Sequence, residues 1–253
     1  MLPVERQQSI LEQLNENGSV LVAELVERFN VSEMTIRRDL DLLERKGLLQ
    51  RTRGGAISNH GRSYEPPFLR RSTERLEEKR RIGMKAASLV RNGESIMLDV
   101  GTTTLEVARN LSSRHDLTVI TPSFHIAALL VEHPGIRLIL SGGILRQGEL
   151  SLVGHLAERA IRDFYADRLF MGAGGVDLEA GLTEFNLDDA LVKRAMLSRA
   201  KEITVVTDSS KFGRVAFTAI APLQAAHRII SDRNLSPEMA ETIRERGIEL
   251  ILV

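Results

Sequence analysis

Asp99-Val100-Gly101-Thr102-Thr103-Thr104 and Ser32-Glu33-Met34-Thr35-Ile36-Arg37-Arg38 are two stretches whose residue types and spacing suit chemistry. The first runs from an apolar strand pattern through a carboxylate and a glycine into three hydroxyl residues that start a helix. Unpaired N–H groups at such a start, with threonine hydroxyls beside them, make a phosphate cradle. The same residues also suit a plain helix cap after a strand. The second stretch sets polar residues at the outer, N-terminal end of a helix held inward by Ile36, Leu40 and Leu43, from which a recognition helix reaches bases and phosphates. Arginine's planar fork suits guanine, and a threonine can address several bases. Taken alone, Arg37 and Arg38 read equally as a solvated face paired to Asp41.

The elements that must position these residues are legible around them. Spacing predicts helices over residues 4–15 and 22–29, a tight turn at Asn30-Val31 and Ser32 as an N-cap. A hairpin follows, with 48–51 returning through Arg53-Gly54-Gly55 to Ala56-Ile57. This is a winged helix-turn-helix. Arg45, Lys46, Arg51 and Arg53 add positive charge to it, with no acid after Glu44 in that stretch. Its candidate DNA contacts are Ser32, Met34, Thr35, Arg37, Arg38, Arg51 and Arg53. Residues 58–76, with Ser58-Asn59-His60-Gly61 and Pro66-Pro67, break the pattern and read as a linker. Arg70, Arg71, Arg75, Lys79, Arg80 and Arg81 suit either a solvated helix start or a segment that follows DNA.

Beyond the linker, helices and short Val/Ile/Leu runs alternate. Helices are expected over 74–91, 104–111, 124–132, 153–164, 187–200 and 237–246. Strands are expected over 95–99, 117–121, 137–140, 168–171, 203–207, 228–231 and 249–252. The pattern is α/β, a mainly parallel sheet covered on both faces. The C-terminal strand ends of such a sheet line its ligand crevice. There the sequence sets Thr121-Pro122-Ser123, Ser141-Gly142-Gly143 with Arg146, Gly172-Ala173-Gly174-Gly175, and Asp208-Ser209-Ser210-Lys211. Glu184, Lys193, Asp208 and Lys211 suit acid–base chemistry or sugar hydroxyls. The glycines at 172–175 do not make a dinucleotide fingerprint, because Val176-Asp177-Leu178-Glu179 is not a helix start.

With 253 residues, 43% of them hydrophobic, the chain buries a core without staples, and its formal net charge of zero names no partner. The absence of cysteine excludes disulfides, thiolate nucleophiles and Cys-built zinc sites. No two of the six histidines sit four apart on a candidate helix, so neither a metal nor another cofactor is expected. Without a basic-then-apolar leader or an apolar run near the roughly 18 residues of a membrane span, a cytoplasmic protein with no membrane partner is expected.

Ser32-Glu33-Met34-Thr35-Ile36-Arg37-Arg38-Asp39-Leu40 with Arg53-Gly54-Gly55-Ala56 resembles the DeoR family of bacterial transcriptional regulators, which usually has His where Arg53 stands. Asp99 to Thr104, Ser141-Gly142-Gly143, Gly181-Leu182-Thr183-Glu184, Val192-Lys193-Arg194-Ala195-Met196 and Asp208-Ser209-Ser210-Lys211-Phe212-Gly213 look like that family's sensor domain, with Pro122 where the family often has Asn. The likeness runs from Arg6 to about Asp232. With it, the domain division reads as a winged helix-turn-helix over 1–58, a linker over 59–76, and an effector-binding, oligomerising α/β domain over 77–253.

The resemblance implies a sensor similar to ribose-phosphate isomerase and CoA-transferase folds. It implies effector contacts at Asp99, Gly101, Thr102, Thr103, Thr104, Ser123, Gly142, Gly143, Arg146, Glu184, Lys193 and Lys211. It also implies a non-enzymatic repressor of a sugar catabolic operon, bound to double-stranded operator DNA as a homodimer or homotetramer. A phosphorylated sugar would release it, and the bacterial cytoplasm, or the nucleoid when DNA is bound, would be its place. Leu169-Phe170-Met171-Gly172 through Phe185-Asn186, with the ending from Gly247 to Val253, looks like the family's amino-sugar and hexitol regulators. The competing readings are a phosphosugar isomerase working through Glu184, Asp208 and Lys211, and a winged-helix module for protein interaction.

Overall fold

The computed structural model describes residues 2–57 and 61–253. The chain divides into two compact units between Tyr64 and Glu65. The boundary expected at Ser58-Asn59-His60 lies outside the described residues.

In the first unit, Pro3 opens α1 (Pro3–Asn17), and Gly18 closes it in the left-handed region at φ +73°. β1 (Ser19–Leu21) leads into α2 (Val22–Phe29), which Asn30 ends at φ 50°. The Ser32 hydroxyl accepts from the Thr35 N–H at 3.2 Å and so caps α3 (Glu33–Arg45). β2 (Gln50–Thr52) and β3 (Gly55–Ile57) form the wing, with β3 central between β2 and β1, both antiparallel to it. β1 is a strand the sequence did not reveal: three residues with only Val20 buried give no period-2 signal. Ile10, Leu14, Leu25, Ile36, Leu40, Leu43 and Leu49 pack into this unit's own core. Beneath α3, Asp39 is buried, taking Arg6 Nε at 2.6 Å and Gln7 Nε2 at 2.8 Å from α1.

The second unit begins with α4 (Phe68–Thr73) and α5 (Leu76–Ser88). Then come β4 (Ser95–Leu98), α6 (Thr102–Arg109), β5 (Leu117–Thr121), α7 (Phe124–Leu130) and β6 (Ile136–Leu140). The hairpin of β7 (Ile144–Arg146) and β8 (Ser151–Val153) precedes α8 (His155–Arg162) and β9 (Ala166–Met171). β10 (Gly175–Asp177), β11 (Gly181–Glu184), α9 (Leu187–Leu197), β12 (Ala200–Val206) and β13 (Thr218–Ala221) follow. β14 (Arg228–Ser231), α10 (Pro237–Glu245) and β15 (Glu249–Leu252) complete it.

Seven strands form one parallel sheet in the order β15-β14-β12-β9-β4-β5-β6. Successive strand residues feed opposite cores. Ile96, Leu98, Phe170, Val206 and Ile230 face α5, α6 and α7, while Met97, Leu169, Met171, Val205 and Ile229 face α8, α9 and α10. The order reverses between β4 and β9, and that switch point is where a doubly wound sheet opens its crevice. β10, β11 and β13 make a small antiparallel sheet that the alternation of helix and strand did not indicate. These and β7–β8 are three- or four-residue strands among glycines, which read as loops.

The expected linker over 59–76 is corrected in its second half. Residues 65–76 belong to the second compact unit, α4 forms within them and Phe68 is buried. The helix expected over 74–91 forms as α5 over 76–88, preceded by Arg75 in the left-handed region at φ 50°, which parts it from α4. Among the described residues no helix is long and apolar enough to cross a membrane.

Gly55 stands where β3 meets β1, and a Cβ there would lie 1.8 Å from the Val20 carbonyl oxygen. Gly55→Ala is expected to push β1 off the wing and to destabilise the first unit by about 1–3 kcal/mol. Faster amide exchange in α3 of the full chain, with β4 and β9 unchanged, is the reading that checks it.

Candidate functional site

On the reading head, the capping of α3 at Ser32 leaves Met34 and Arg38 exposed at its outer end, with Thr35 half-buried beside them. The Ser32 and Thr35 hydroxyls lie 2.9 Å apart. Arg37 is drawn along the face to Glu33, Nη2 to Oε1 2.6 Å, so the pairing with Asp41 does not form; both side chains are about half exposed. Asp41 instead takes Arg51, whose Nη1 also donates to the Arg37 carbonyl at 3.1 Å and whose backbone N–H donates to Glu44 at 2.7 Å. Arg51 thus joins the wing to α3 from within, and Arg53 is the exposed cation at the wing's tip. An exchangeable surface pair such as Glu33–Arg37 contributes little to folding.

In the sensor unit, β4 ends on Asp99, which is fully buried. Its Oδ2 accepts from the Gly172 N–H at 2.9 Å and is ion-paired with Lys193, while its Oδ1 is buried with no partner among the described residues. The Lys193 ammonium, also fully buried, lies 3.2 Å from Glu184 Oε2 and donates to the Gly172 carbonyl at 3.2 Å. Burial pushes the Asp99 carboxyl up to about 6, against the pull of Lys193. Burial also works against the Lys193 charge, yet Asp99, Glu184 and Asp189 together hold its proton above the ordinary lysine range. The two directions agree physically, since one ammonium surrounded by three acids keeps its proton while an acid that shares it stays short of charge compensation.

Gly101 follows at φ +131°, a backbone state that L side chains rarely adopt, and turns the chain into α6. Thr102, Thr103 and Thr104 are its first residues and are buried. The Thr104 hydroxyl donates to the Gly101 carbonyl at 2.9 Å, and the Leu105 N–H reaches the same oxygen at 3.1 Å. The N–H groups of Thr102, Thr103 and Thr104 precede the helical ladder and find no acceptor among the described residues. After β12, buried Asp208 accepts from the Ser210 N–H at 3.1 Å, and Lys211 stands 5.8 Å from the Phe185 ring centre. Lys211 has no carboxylate within 4 Å among the described residues, whereas Arg75 Nε lies 3.7 Å from Asp208. Burial pushes the Lys211 ammonium down to about 8; Asp208 opposes this, and Arg214, Arg71 and Lys79 add to it.

Other expected contacts have local partners. Ser123 caps α7, accepting from the Ile126 N–H at 3.3 Å. Gly142 and Gly143 form the exposed turn between β6 and β7. Arg146 is paired with Glu65 at 2.9 Å and Asp189 at 2.5 Å. Glu65, Glu149 and Asp189 carried no signal in the sequence, and Arg71 and Lys79 stood out only as members of a basic segment. Arg71 bridges Glu65 at 3.0 Å and Glu149, a partner 78 residues away. No local spacing signals such a pair. The basic segment, which suited either a solvated helix start or a path along DNA, is largely engaged inside its own unit, with Arg70 on Glu74, Arg71 on Glu149, Arg75 near Asp208, Arg80 on Glu77, and Lys79 buried.

A winged helix with an exposed polar recognition end, joined to a doubly wound unit with a cluster of polar residues at its switch point, defines a DNA-binding regulator with a sensor. Residues 6–62 match the family described as the DeoR-like helix-turn-helix domain, and residues 74–233 match the DeoR C terminal sensor domain. The chain belongs to the DeoR family of transcriptional regulators. It is 37% identical to an HTH-type transcriptional regulator of Bacillus subtilis over 100% of this chain and 98% of that one. It is 32% identical to the glycerol-3-phosphate regulon repressor of Escherichia coli over the whole of both chains. Among solved structures, ribose 5-phosphate isomerase A of Methanocaldococcus jannaschii aligns with 53% of each chain at 21% identity and a TM-score of 0.40.

Removing the ammonium at position 193 leaves Asp99 and Glu184 buried and uncompensated. Lys193→Met is expected to lose about 3–5 kcal/mol of stability. Chemical denaturation followed by far-UV circular dichroism measures it.

Proposed function

We propose that this chain is a repressor of a sugar catabolic operon, released from its operator by a phosphorylated sugar. The observation that carries the effector reading is the start of α6. Three threonine N–H groups there have no acceptor among the described residues, at the positive end of a helix dipole, with the orphaned Asp99 Oδ1 three residues upstream. The N–H groups and Thr102 and Thr103 hydroxyls suit phosphate; Asp99 suits a sugar hydroxyl, which would donate to Oδ1. Lys211, charged and without an acid within ion-pair distance, suits the phosphate's second charge. The name of the Escherichia coli relative supports repression.

On the reading head, Met34, Thr35, Arg38 and Arg53 are the contacts we assign to DNA, joined by Arg37 when it leaves Glu33. A single, roughly neutral head binds weakly, so we read the working form as a homodimer or homotetramer that sets two heads on two half-sites. We place it in the bacterial cytoplasm. We read it as a sensor without catalysis, because Glu184 is taken up by Lys193 and the Phe185 N–H, and Asp208 by Ser210, leaving no free acid–base couple.

Calorimetry of the full chain with a panel of sugars and their phosphates tests the effector reading. A phosphate is expected to bind where its parent sugar does not, and Thr103→Ala is expected to weaken it while DNA binding persists; equal affinity for sugar and phosphate refutes the cradle. Arg38→Ala is expected to weaken operator binding by about 1–3 kcal/mol without unfolding the head.

The pH dependence has a definite sign. A sugar phosphate is already a dianion above its second ionisation near about 6. Lys211 is charged below about 8 and loses its proton above it, so phosphate affinity falls as pH rises from neutrality to 9. Lys211→Met removes that fall, as calorimetry across this range reads directly.

A further inference from the structure

The first eleven residues of the sensor unit, 65–75, are the ones the chain enters on leaving the reading head, and they are fastened at several points. Phe68 is buried and stacks on His125, ring centres 3.9 Å apart and planes within 12°. Arg71 donates from Nε to the Pro66 carbonyl at 2.9 Å and from Nη2 to Glu65 and Glu149. Arg146 holds the other oxygen of Glu65. Buried Lys79 donates to the carbonyls of Arg71 and, at 2.7 Å, Glu74, and so ties off the end of α4. Arg75 reaches toward Asp208.

Two features set this fastening apart from ordinary packing. Arg75 and Leu150, the residue after Glu149, both hold left-handed backbone at φ 50° and 53°, an expense for side-chain-bearing residues that clusters at switches. The charges are also crowded: Arg71 and Lys79 both press on Lys211, and the acids that hold the strap, Glu149 and Asp208, are themselves buried. Burial pushes the Glu149 carboxyl up, against the pull of Arg71, so Glu149 accepts a proton readily once Arg71 departs.

We propose that Arg71 and Arg75 are effector-binding residues and that segment 65–75 is the switch through which occupancy reaches the reading head. Without effector their guanidinium groups hold Glu149 and Asp208. A dianion seated beside Lys211 competes with those carboxylates for the same groups and unseats the segment. The two states then differ in named contacts, which is what allows a ligand to shift their populations. The inference rests on the effector reading above for the identity of the anion and its seat beside Lys211.

The test uses the full chain and a duplex selected by it from random-sequence DNA. Without any ligand, Glu149→Gln is expected to speed amide exchange in 65–75 and to weaken DNA binding by about ten-fold each, leaving exchange in α1 and α3 unchanged. Arg75→Gly, which suits the left-handed backbone and removes the contact with Asp208, is expected to act in the same direction and decides the matter if Glu149→Gln fails to fold. Glycerol 3-phosphate, ribose 5-phosphate and glucosamine 6-phosphate are then screened by thermal shift, and a compound that stabilises the wild type is expected to speed exchange in 65–75 as well. DNA affinity within two-fold of wild type in the folded variants overturns the switch, as does a phosphate that releases DNA while exchange in 65–75 stays unchanged. If none of the three phosphates binds, the effector reading is what suffers, and the ligand-free variants still decide the switch.

Discussion

One buried ammonium, that of Lys193, fixes the geometry on which the sensor's crevice depends. It comes from α9 and meets the ends of three other elements: Asp99 after β4, the Gly172 carbonyl after β9, and Glu184 at the end of β11. Taking such a charge from water is costly, and its attraction to acids repays that only when the geometry is good and the remaining polar atoms are satisfied. Apolar residues in place of the whole cluster could fill the same volume, but they would not specify which strand ends converge. The cluster as a whole therefore serves register more than stability. The Asp99 that Lys193 holds sits two residues before Gly101, so the turn into α6 inherits its position from this contact.

The sheet supplies the remainder of the arrangement. Because all seven strands run the same way, their C-terminal ends lie along one edge, and the strand order changes between β4 and β9, the place where doubly wound sheets bind their ligands. Alternating strand residues feed two separate cores, which anchor the sheet from both faces and leave its edge to polar residues. The charges near that edge form linked pairs from Asp189 through Arg146 and Glu65 to Arg71, and Asp189 also bears electrostatically on Lys193. A change in one member alters the electrostatics of the next, which is how groups distant in sequence come to act together.

Much of this was legible in the residues. Ser32 followed by an inward Ile36/Leu40/Leu43 stripe located the recognition helix, and the Asp99–Gly101–Thr104 run located the strand-to-helix turn, because both signals are local. The parallel sheet followed from short apolar runs between amphipathic helices. What escaped was either too short or too distant. β1, β7 and β10 have three residues each, fewer than a period needs to declare itself. Residues 65–75 looked like a tether because prolines and arginines are typical of solvated chain, and nothing nearby announces that Arg71 meets Glu149. Arg51 looked like a free cation for the same reason, its partner Asp41 being ten residues back on another element.

The ion pair between Arg6 and Asp39 divides the labour within the recognition helix. Asp39 and the apolar stripe hold α3 at its angle to α1 from below, while Met34 and Arg38 project from the opposite side and carry none of that load. The mount of the helix and its tip are thus encoded at different positions. If the tip reads DNA as proposed, it can drift toward new base sequences over generations while the mount stays fixed, so paralogues could acquire distinct targets by a few substitutions without refolding the head. A changed angle of approach, by contrast, would require Arg6 and Asp39 to change together.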